Sequence, residues 1–320
     1  MTARGISGIG YAFPAATRSV RELAAAGALQ SEATLLERFG FDLVHVAQAE
    51  APYDLALRAA RSALERSGAD PESIGLVVYG GASAASAYVA GGNRLPENAW
   101  RTTARFRYPA PRLQYELGLT RASVLGIDQL ACTTLFGAVR VAGAICEAER
   151  IDRALCIAAE FFPPDAGREA IFNCTSDAAC ALLLQRGAAR NRIVASVQVT
   201  KGYYWDCDAM RDEVVASYFP TAAHVVARAI VDAGWQPADV DWVIPHNVSA
   251  RSWQILLGLL RLPRARLWDA NIALRGHALA GDNFINLHDA QACGDVREGD
   301  RLILFSYGYG AQWTALAIEA

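Results

Sequence analysis

The stretch Val124-Leu125-Gly126-Ile127-Asp128-Gln129-Leu130-Ala131-Cys132-Thr133-Thr134-Leu135-Phe136-Gly137-Ala138-Val139 places a thiol where it can react. Val124–Ile127 is an apolar run that predicts a short buried strand. Leu135, Val139, Ala142 and Cys146 recur at helical spacing, so a helix begins near Cys132. A thiol at a helix N-terminus meets the positive end of the dipole and unpaired N–H groups, which favour the thiolate, the nucleophilic form. A free cysteine more commonly only packs in the core. His246 is the second reactive side chain. It follows Asp241–Ile244 and Pro245, where a strand ends and a helix over Val248–Leu260 begins. In open α/β sheets ligands gather at such strand ends.

The elements around these residues must come from a chain of 320 residues, enough for one large domain or two fused halves. Hydrophobic residues make up 53%, charged residues 20%, and the net charge is −3. That balance gives no basic face for nucleic acid. No N-terminal apolar region and no bilayer-length apolar run stands out, so neither a membrane nor export is expected and a cytoplasmic location is. The seven cysteines, at 132, 146, 156, 174, 180, 207 and 293, form no CxxC pair. That favours a reducing compartment and disfavours a disulfide framework or a metal site.

Residues 4–10 and 75–80 read as strands, and Tyr53–Ser67 as a helix ahead of the second. The stretch from Gly68 to Ala84, including Pro71 and the strand at Gly75-Leu76-Val77-Val78-Tyr79, is echoed 166 positions later from Gly234 to Ala250. Pro237 and Asp241-Trp242-Val243-Ile244 fall in or within one place of register. Each copy follows an alanine-rich helix, Leu55–Arg66 and Ala222–Asp232. Duplication of a βα unit at half the chain length implies two similar α/β halves, 1–170 and 171–320. Further strands are expected at Leu155–Ala159, Ala178–Leu184 and Arg192–Val199. Ser86–Arg107 lacks periodicity and is read as a loop over an active-site mouth or at a dimer face.

Three segments in chain order resemble the ketoacyl-acyl-carrier-protein synthase III family of the thiolase superfamily. Ala131-Cys132-Thr133-Thr134-Leu135-Phe136-Gly137-Ala138 resembles its nucleophile segment, and Val243-Ile244-Pro245-His246-Asn247 its strand-Pro-His segment. Tyr307-Gly308-Tyr309-Gly310-Ala311-Gln312-Trp313 resembles its C-terminal glycine-rich turn. Weaker similarity runs from Gly5-Ile6-Ser7-Gly8 to Leu316, and Thr175-Ser176-Asp177-Ala178-Ala179 resembles a Gly-Asp-Gly-Ala segment without its glycines. The resemblance implies a five-layered α-β-α-β-α thiolase fold. It also implies Cys132 as nucleophile, His246 as its partner, and backbone N–H groups of Cys132 and Tyr309 as the oxyanion hole.

The chain departs from the family pattern at three places. Gly276-His277-Ala278-Leu279-Ala280-Gly281-Asp282-Asn283 puts His277 where the family has asparagine, adding a side chain that titrates and moves protons. A strand at Arg266–Asp269, a turn and a helix to about Cys293 would make this segment parallel to that of Cys132. Asp282 is close enough to orient a histidine, but a helix-surface carboxylate is the expectation. Tyr309 replaces a middle glycine. Thr34 stands near the tryptophan that stacks on coenzyme A, while Arg38 remains to meet a phosphate. Arg38, Asn247, Phe284 and Gly308 are the implied substrate-binding residues.

The expected activity is ping-pong acyl transfer through an acyl-Cys132 thioester in polyketide or fatty-acyl metabolism. No permanently bound cofactor or metal is expected. The donor would be an acyl thioester of a carrier protein or coenzyme A, and the protein a homodimer. The leading expectation is decarboxylative Claisen condensation onto a malonyl carrier, with His246 and His277 stabilising the enolate. The alternatives are an ester- or amide-forming transacylase with a small-molecule acceptor, and a silent ketosynthase partner.

Overall fold

The computed structural model describes residues 4–48, 50–82, 107–162 and 166–320. The loop expected over Ser86–Arg107 therefore lies outside the described residues, Arg107 excepted. The first part of the chain forms β1 (Arg4–Ala12), β2 (Thr17–Ser19), α1 (Val20–Ala25), α2 (Ala33–Arg38), β3 (Leu43–His45), α3 (Pro52–Ser67) and β4 (Leu76–Gly80). Next come α4 (Pro109–Glu116), β5 (Ser123–Ile127), α5 (Thr134–Ala148), β6 (Arg153–Glu160), β7 (Glu169–Ala170), β8 (Asn173–Cys174) and β9 (Ala178–Arg186). The remainder forms β10 (Arg192–Thr200), α6 (Arg211–Asp232), β11 (Trp242–Pro245), α7 (Ala250–Leu260) and α8 (Asn271–Arg275). It ends with α9 (Asp282–Ala292), β12 (Arg301–Gly308) and β13 (Gln312–Glu319).

The main strands run in the order β11-β12-β13-β10-β1-β9-β6-β4-β5. A single register pair, Gly5 with Arg192, joins β1 to β10. The row is thus two sheets meeting along their inner edges. Strand alternation sends side chains to both faces of each sheet. Val77, Leu155 and Leu183 pack with α3, whereas Val78, Cys156 and Leu182 pack with α5. In the second sheet, Leu302, Leu304 and Leu316 join α9 in the cluster that contains α5, while Ile303, Phe305 and Ala317 pack with α6 and α7. The layers are therefore α3, sheet, α5 with α9, sheet, and α6 with α7: the five layers that the resemblance implies. Each fully buried Leu or Ile contributes about 1.5–3 kcal/mol to this packing.

The sequence echo is structural. A one-turn helix at Pro71–Ser73 precedes β4, and one at Pro237–Asp239 precedes β11. β4 runs parallel to β5 and β6, and β11 parallel to β12. The division differs from 170/171, because β9 pairs with β1 and β6 in the first sheet. The sheets part between β9 and β10 instead.

Other expectations are corrected. β5 is present but largely exposed, because it is the outer edge of the first sheet. Arg266–Asp269 forms no named strand. A one-turn helix covers Arg264–Arg266, and only an isolated bridge links Leu267 to Val243. Among the described residues, Ala131–Ala148 and Arg211–Asp232 are long and apolar enough to cross a membrane, contrary to the sequence reading. The buried residues of each pack against the sheets, although Val215 and Val231 of the second are exposed.

Candidate active site

Cys132 sits in a one-turn helix, Ala131–Thr133, between β5 and α5. Gln129 and Ala131 hold positive φ angles of 63° and 46° to make the turn. Strain of this kind costs on the order of 1–3 kcal/mol per residue and persists only where neighbours enforce it. Here the hydroxyls of Thr133 and Thr134 donate to the Leu130 and Ala131 carbonyls at 2.6 and 2.7 Å. The Cys132 side chain is buried and lies before the first turn of α5.

The second half builds the same turn from another sequence. A one-turn helix, Leu279–Gly281, precedes α9, and Leu279 has φ 48°, close to the angle at Ala131. Gly276, with φ 59° and ψ −160°, occupies backbone space open in practice only to glycine. A Cβ there would lie 2.9 Å from the Cys174 carbonyl oxygen. His277 is strapped to the segment before β9. Its amide donates to Cys174 O at 2.7 Å, and its carbonyl accepts from the Ser176 amide at 2.9 Å.

These two turns bring His277 Nε2 to 3.4 Å from Cys132 Sγ. On the far side of the ring, Nδ1 donates to Asp282 Oδ2 at 2.5 Å. The amides of Ala278 and Asn247 also donate to Asp282, each at 2.6 Å. Asp282 is therefore not a surface carboxylate. It opens α9, which lies between the two sheets and offers no solvent face at that point, and the residue is fully buried. Burial opposes protonation of His277, but the charges of Asp282 and Cys132 outweigh it and push the pKa up to about 10.

His246 behaves oppositely. It lies at the C-terminal end of β11, and its ring centroid is 6.1 Å from that of His277. Its Nδ1 is 3.1 Å from the Phe305 carbonyl. A carbonyl only accepts, so Nδ1 carries the hydrogen and Nε2 of the neutral ring carries a lone pair. That Nε2 is buried and has no partner. Burial, and then the positive charge of His277, push its pKa down to about 3.

The turn between β12 and β13 closes the site. Ser306 Oγ donates to the Cys132 carbonyl at 3.2 Å. At Gly308 a Cβ would lie 2.5 Å from the Leu130 carbonyl oxygen, so the hairpin backbone rests on the Cys132 turn. The Gly310 amide donates to Cys207 Sγ at 3.2 Å, and the Tyr309 hydroxyl to Asp208 at 3.3 Å. Among the described residues, the amides of Cys132 and Tyr309 donate to no other backbone carbonyl outside regular helices and strands.

A cavity of about 380 Å³ opens beside Cys132, His246 and His277. Its walls are mainly apolar, with Phe39, Phe162, Phe172, Tyr218 and Phe219 among them. The implied substrate-binding residues divide around it. Arg38 is exposed, and only its neighbour Phe39 lines the cavity. Asn247 is buried and structural: its side chain donates to Gly276 O at 2.8 Å and accepts from Asn286 at 2.8 Å. Phe284 belongs to the central core, 5.2 Å from Phe136. Gly308 serves backbone packing. Sequence reasoning missed Tyr218, which has no motif around it, and gave Asp282 the wrong environment. Among the described residues no group of three or more His, Cys, Asp or Glu could hold a metal ion.

Two α/β halves enclosing a buried cysteine–histidine pair define a thiolase-fold protein. The model for the C-terminal part of 3-oxoacyl-[acyl-carrier-protein] synthase III matches residues 230–320. Beta-ketoacyl-[acyl-carrier-protein] synthase III 2 of Streptomyces coelicolor is 31% identical over 241 residues, covering 68% of this chain and 70% of that protein. The synthase III of Pseudomonas aeruginosa PAO1 is 27% identical over 343 residues, covering 98% and 96%. The crystal structure of FabH from P. aeruginosa PAO1 matches with TM-score 0.81 and 25% identity over 99% and 98% of the two chains. ChlB3, described as an acyltransferase, shares the fold with TM-score 0.84 at 21% identity over 99% and 98%. The chain belongs to the β-ketoacyl-acyl-carrier-protein synthase III family of acyl-transferring and condensing enzymes.

Proposed function

We propose that this enzyme is a non-condensing transacylase that moves an acyl group from a carrier-protein or coenzyme A thioester to a small-molecule acceptor. The observation that carries this reading is the hydrogen-bonded line Cys132–His277–Asp282 beside a His246 that can only accept. Transfer of the Cys132 proton to His277 Nε2, across the 3.4 Å contact, generates the thiolate. The thiolate attacks the donor thioester, and the amides of Cys132 and Tyr309 hold the oxyanion. His277 then gives its proton to the departing thiol. His277 has then lost its proton to the leaving thiol, and with the sulphur acylated the Cys132 charge no longer holds one there, although that of Asp282 remains, so Nε2 serves as a base for the acceptor. Asp282 holds the ring with Nε2 toward the sulphur throughout, the orienting role in a nucleophile–base–carboxylate triad.

Condensation makes the opposite demand. Stabilising a malonyl-derived enolate needs hydrogen-bond donors at its oxygen. After acylation, His246 and His277 both present lone pairs at Nε2. The relatives named as synthases favour condensation all the same, and it stands as the second reading. A silent partner subunit fits poorly with a complete triad.

The donor is read as a carrier-protein thioester more readily than coenzyme A, because Thr34 stands near the position where the family resemblance places a stacking tryptophan. A homodimer joined along the exposed edge strand β5 fits the family pattern. Intact mass after incubation with acyl thioesters tests acylation of Cys132. Addition of malonyl carrier separates the two readings: transacylation releases no carbon dioxide, and release of carbon dioxide with a new carbon–carbon bond overturns it.

A further inference from the structure

A mainly apolar cavity makes each free polar atom in its wall informative, because bound substrate must answer it. Six hydroxyl-bearing residues line the cavity, and the hydroxyls of Thr175, Tyr307 and Tyr309 are engaged, whereas those of Tyr218, Ser249 and Ser252 have no hydrogen-bond partner among the described residues. Thr175 donates to Arg168 O at 3.1 Å, Tyr307 lies 3.6 Å from Cys207 Sγ, and Tyr309 donates to Asp208. Of these three, Tyr218 carries its hydroxyl on a ring held by aromatic neighbours. It enters the cavity wall from α6, with its ring edge-on to Tyr307 at 5.2 Å and to Phe219 at 5.0 Å. These contacts fix the ring, yet among the described residues its hydroxyl has no hydrogen-bond partner. Burial, and then the charge at Cys132, raise its pKa, so near neutrality it stays protonated and acts as a donor.

We propose that Tyr218 binds the acceptor of the second half-reaction and that this acceptor is an alcohol, making the product an ester. The proposal rests on the transacylase reading above. After acylation the wall beside Cys132 offers two imidazole lone pairs, at His246 and His277, and Tyr218 offers an O–H. An alcohol oxygen answers all of this. It gives its hydrogen toward the imidazole wall, accepts from Tyr218 with one lone pair and attacks with the other. A neutral amine has a single lone pair, which attack consumes, and it leaves Tyr218 unanswered. At neutral pH an alkylamine also arrives charged, and a mainly apolar cavity disfavours that.

In the step itself the alcohol O–H bond breaks and its proton passes to His277 Nε2. The C–O bond forms at the acyl carbon, and the oxyanion then collapses. The C–S bond breaks with its electron pair going to Cys132, which restores the thiolate beside protonated His277. No oxidant or further reactant is required.

The test loads Cys132 with a hexanoyl group from hexanoyl-N-acetylcysteamine, then adds benzyl alcohol or benzylamine and follows the acyl-enzyme by intact mass. Benzyl alcohol should discharge it saturably to benzyl hexanoate, and benzylamine should not exceed the background decay. Tyr218→Phe should slow discharge by the alcohol about tenfold or more, as expected for one lost hydrogen bond, while acylation stays within about twofold. Acylation on the same variant also reports whether it folds. Equal discharge by the amine, or an indifferent Tyr218→Phe, overturns the alcohol assignment and leaves transacylation standing. Equal slowing of both half-reactions places Tyr218 at the thioester oxygen and overturns the proposal. Failure of both probes also counts against it, because either is small beside a cavity of about 380 Å³. Discharge only by malonyl carrier, with carbon dioxide, overturns the transacylase reading itself.

Discussion

The imidazole of His277 and the carboxylate of Asp282 meet at 2.5 Å, both buried, and the contact determines which nitrogen faces Cys132. A carboxylate held by two backbone amides can only accept from the ring, so Nδ1 keeps its hydrogen and Nε2 turns to the sulphur. An asparagine at 277 would present an amide to the thiol, with no proton to exchange. A histidine at this position therefore differs from an asparagine in what the site can do as well as in what it can bind.

Asp282→Asn is expected to keep the fold and lose about 10²–10⁴-fold in acylation of Cys132, the range associated with general acid–base catalysis. His277→Asn should lose a similar factor. Single-turnover acylation rates at several pH values check both. Near wild-type acylation by His277→Asn, with an unchanged pH profile, would remove the proton-transfer role.

Stability should peak near neutrality, for two opposite reasons. The folded pKa of His277 is raised from 6.5 to about 10, so its contribution is full below about 6.5 and is lost as the pH rises through 10. That of His246 is lowered to about 3, so the unfolded chain binds the extra proton between about 6.5 and 3, and stability falls on acidification through that window. Denaturant midpoints measured across pH for wild type, His277→Gln and His246→Gln test this. Each variant should flatten its own limb, and a variant that retains the full slope disproves the assignment for that residue.

Gly308→Ala should slow acylation by about 10²–10³-fold, the loss typical of a missing oxyanion donor. The added Cβ would meet the Leu130 carbonyl oxygen at 2.5 Å and push the Tyr309 amide away from Cys132. Rate constants for acyl-enzyme formation, compared with thermal midpoints, separate a displaced amide from a general loss of folding.

The layers were legible because their signals are local or repeated. β4 and β11 each follow a Pro-led turn and an apolar run, and the copies sit 166 positions apart. The Cys132 turn and its helix were legible for the same reason. Asp282 was not, because its role depends on α9 lying between two sheets, a fact of tertiary packing. Phe284 was misplaced by the same limit: the aromatic that follows Asn283 points into the core beside Phe136. Tyr218 lies in a helix that begins at Arg211, well before the alanine-rich stretch Ala222–Asp232, and Pro220 breaks the helical pattern between them.

Phe284→Ala should therefore act on stability and spare substrate binding. Phe→Ala in a core typically costs about 3–5 kcal/mol. Because so large a loss could unfold the chain, Phe284→Leu is the better probe of function. It should lower the denaturant midpoint and leave KM for the acyl donor within about twofold. A large rise in KM at unchanged stability would return Phe284 to the substrate site.

The dimer prediction turns on β5. Among the described residues this strand pairs with β4 along one edge and is the last in the sheet, and no described strand pairs with its other edge. Val124 on it is 38% exposed, although the run was predicted to be buried. An apolar, uncharged edge strand is an aggregation hazard unless something covers it, and a second copy of β5 related by a twofold axis answers both edges at once. Val124→Lys would place like charges close together across such a joint, where facing pairs repel. Wild type should sediment as a dimer at micromolar concentration, and Val124→Lys should shift toward monomer with its far-ultraviolet spectrum intact. A monomeric wild type would count against the pairing, and a dimeric Val124→Lys would locate the interface on another face.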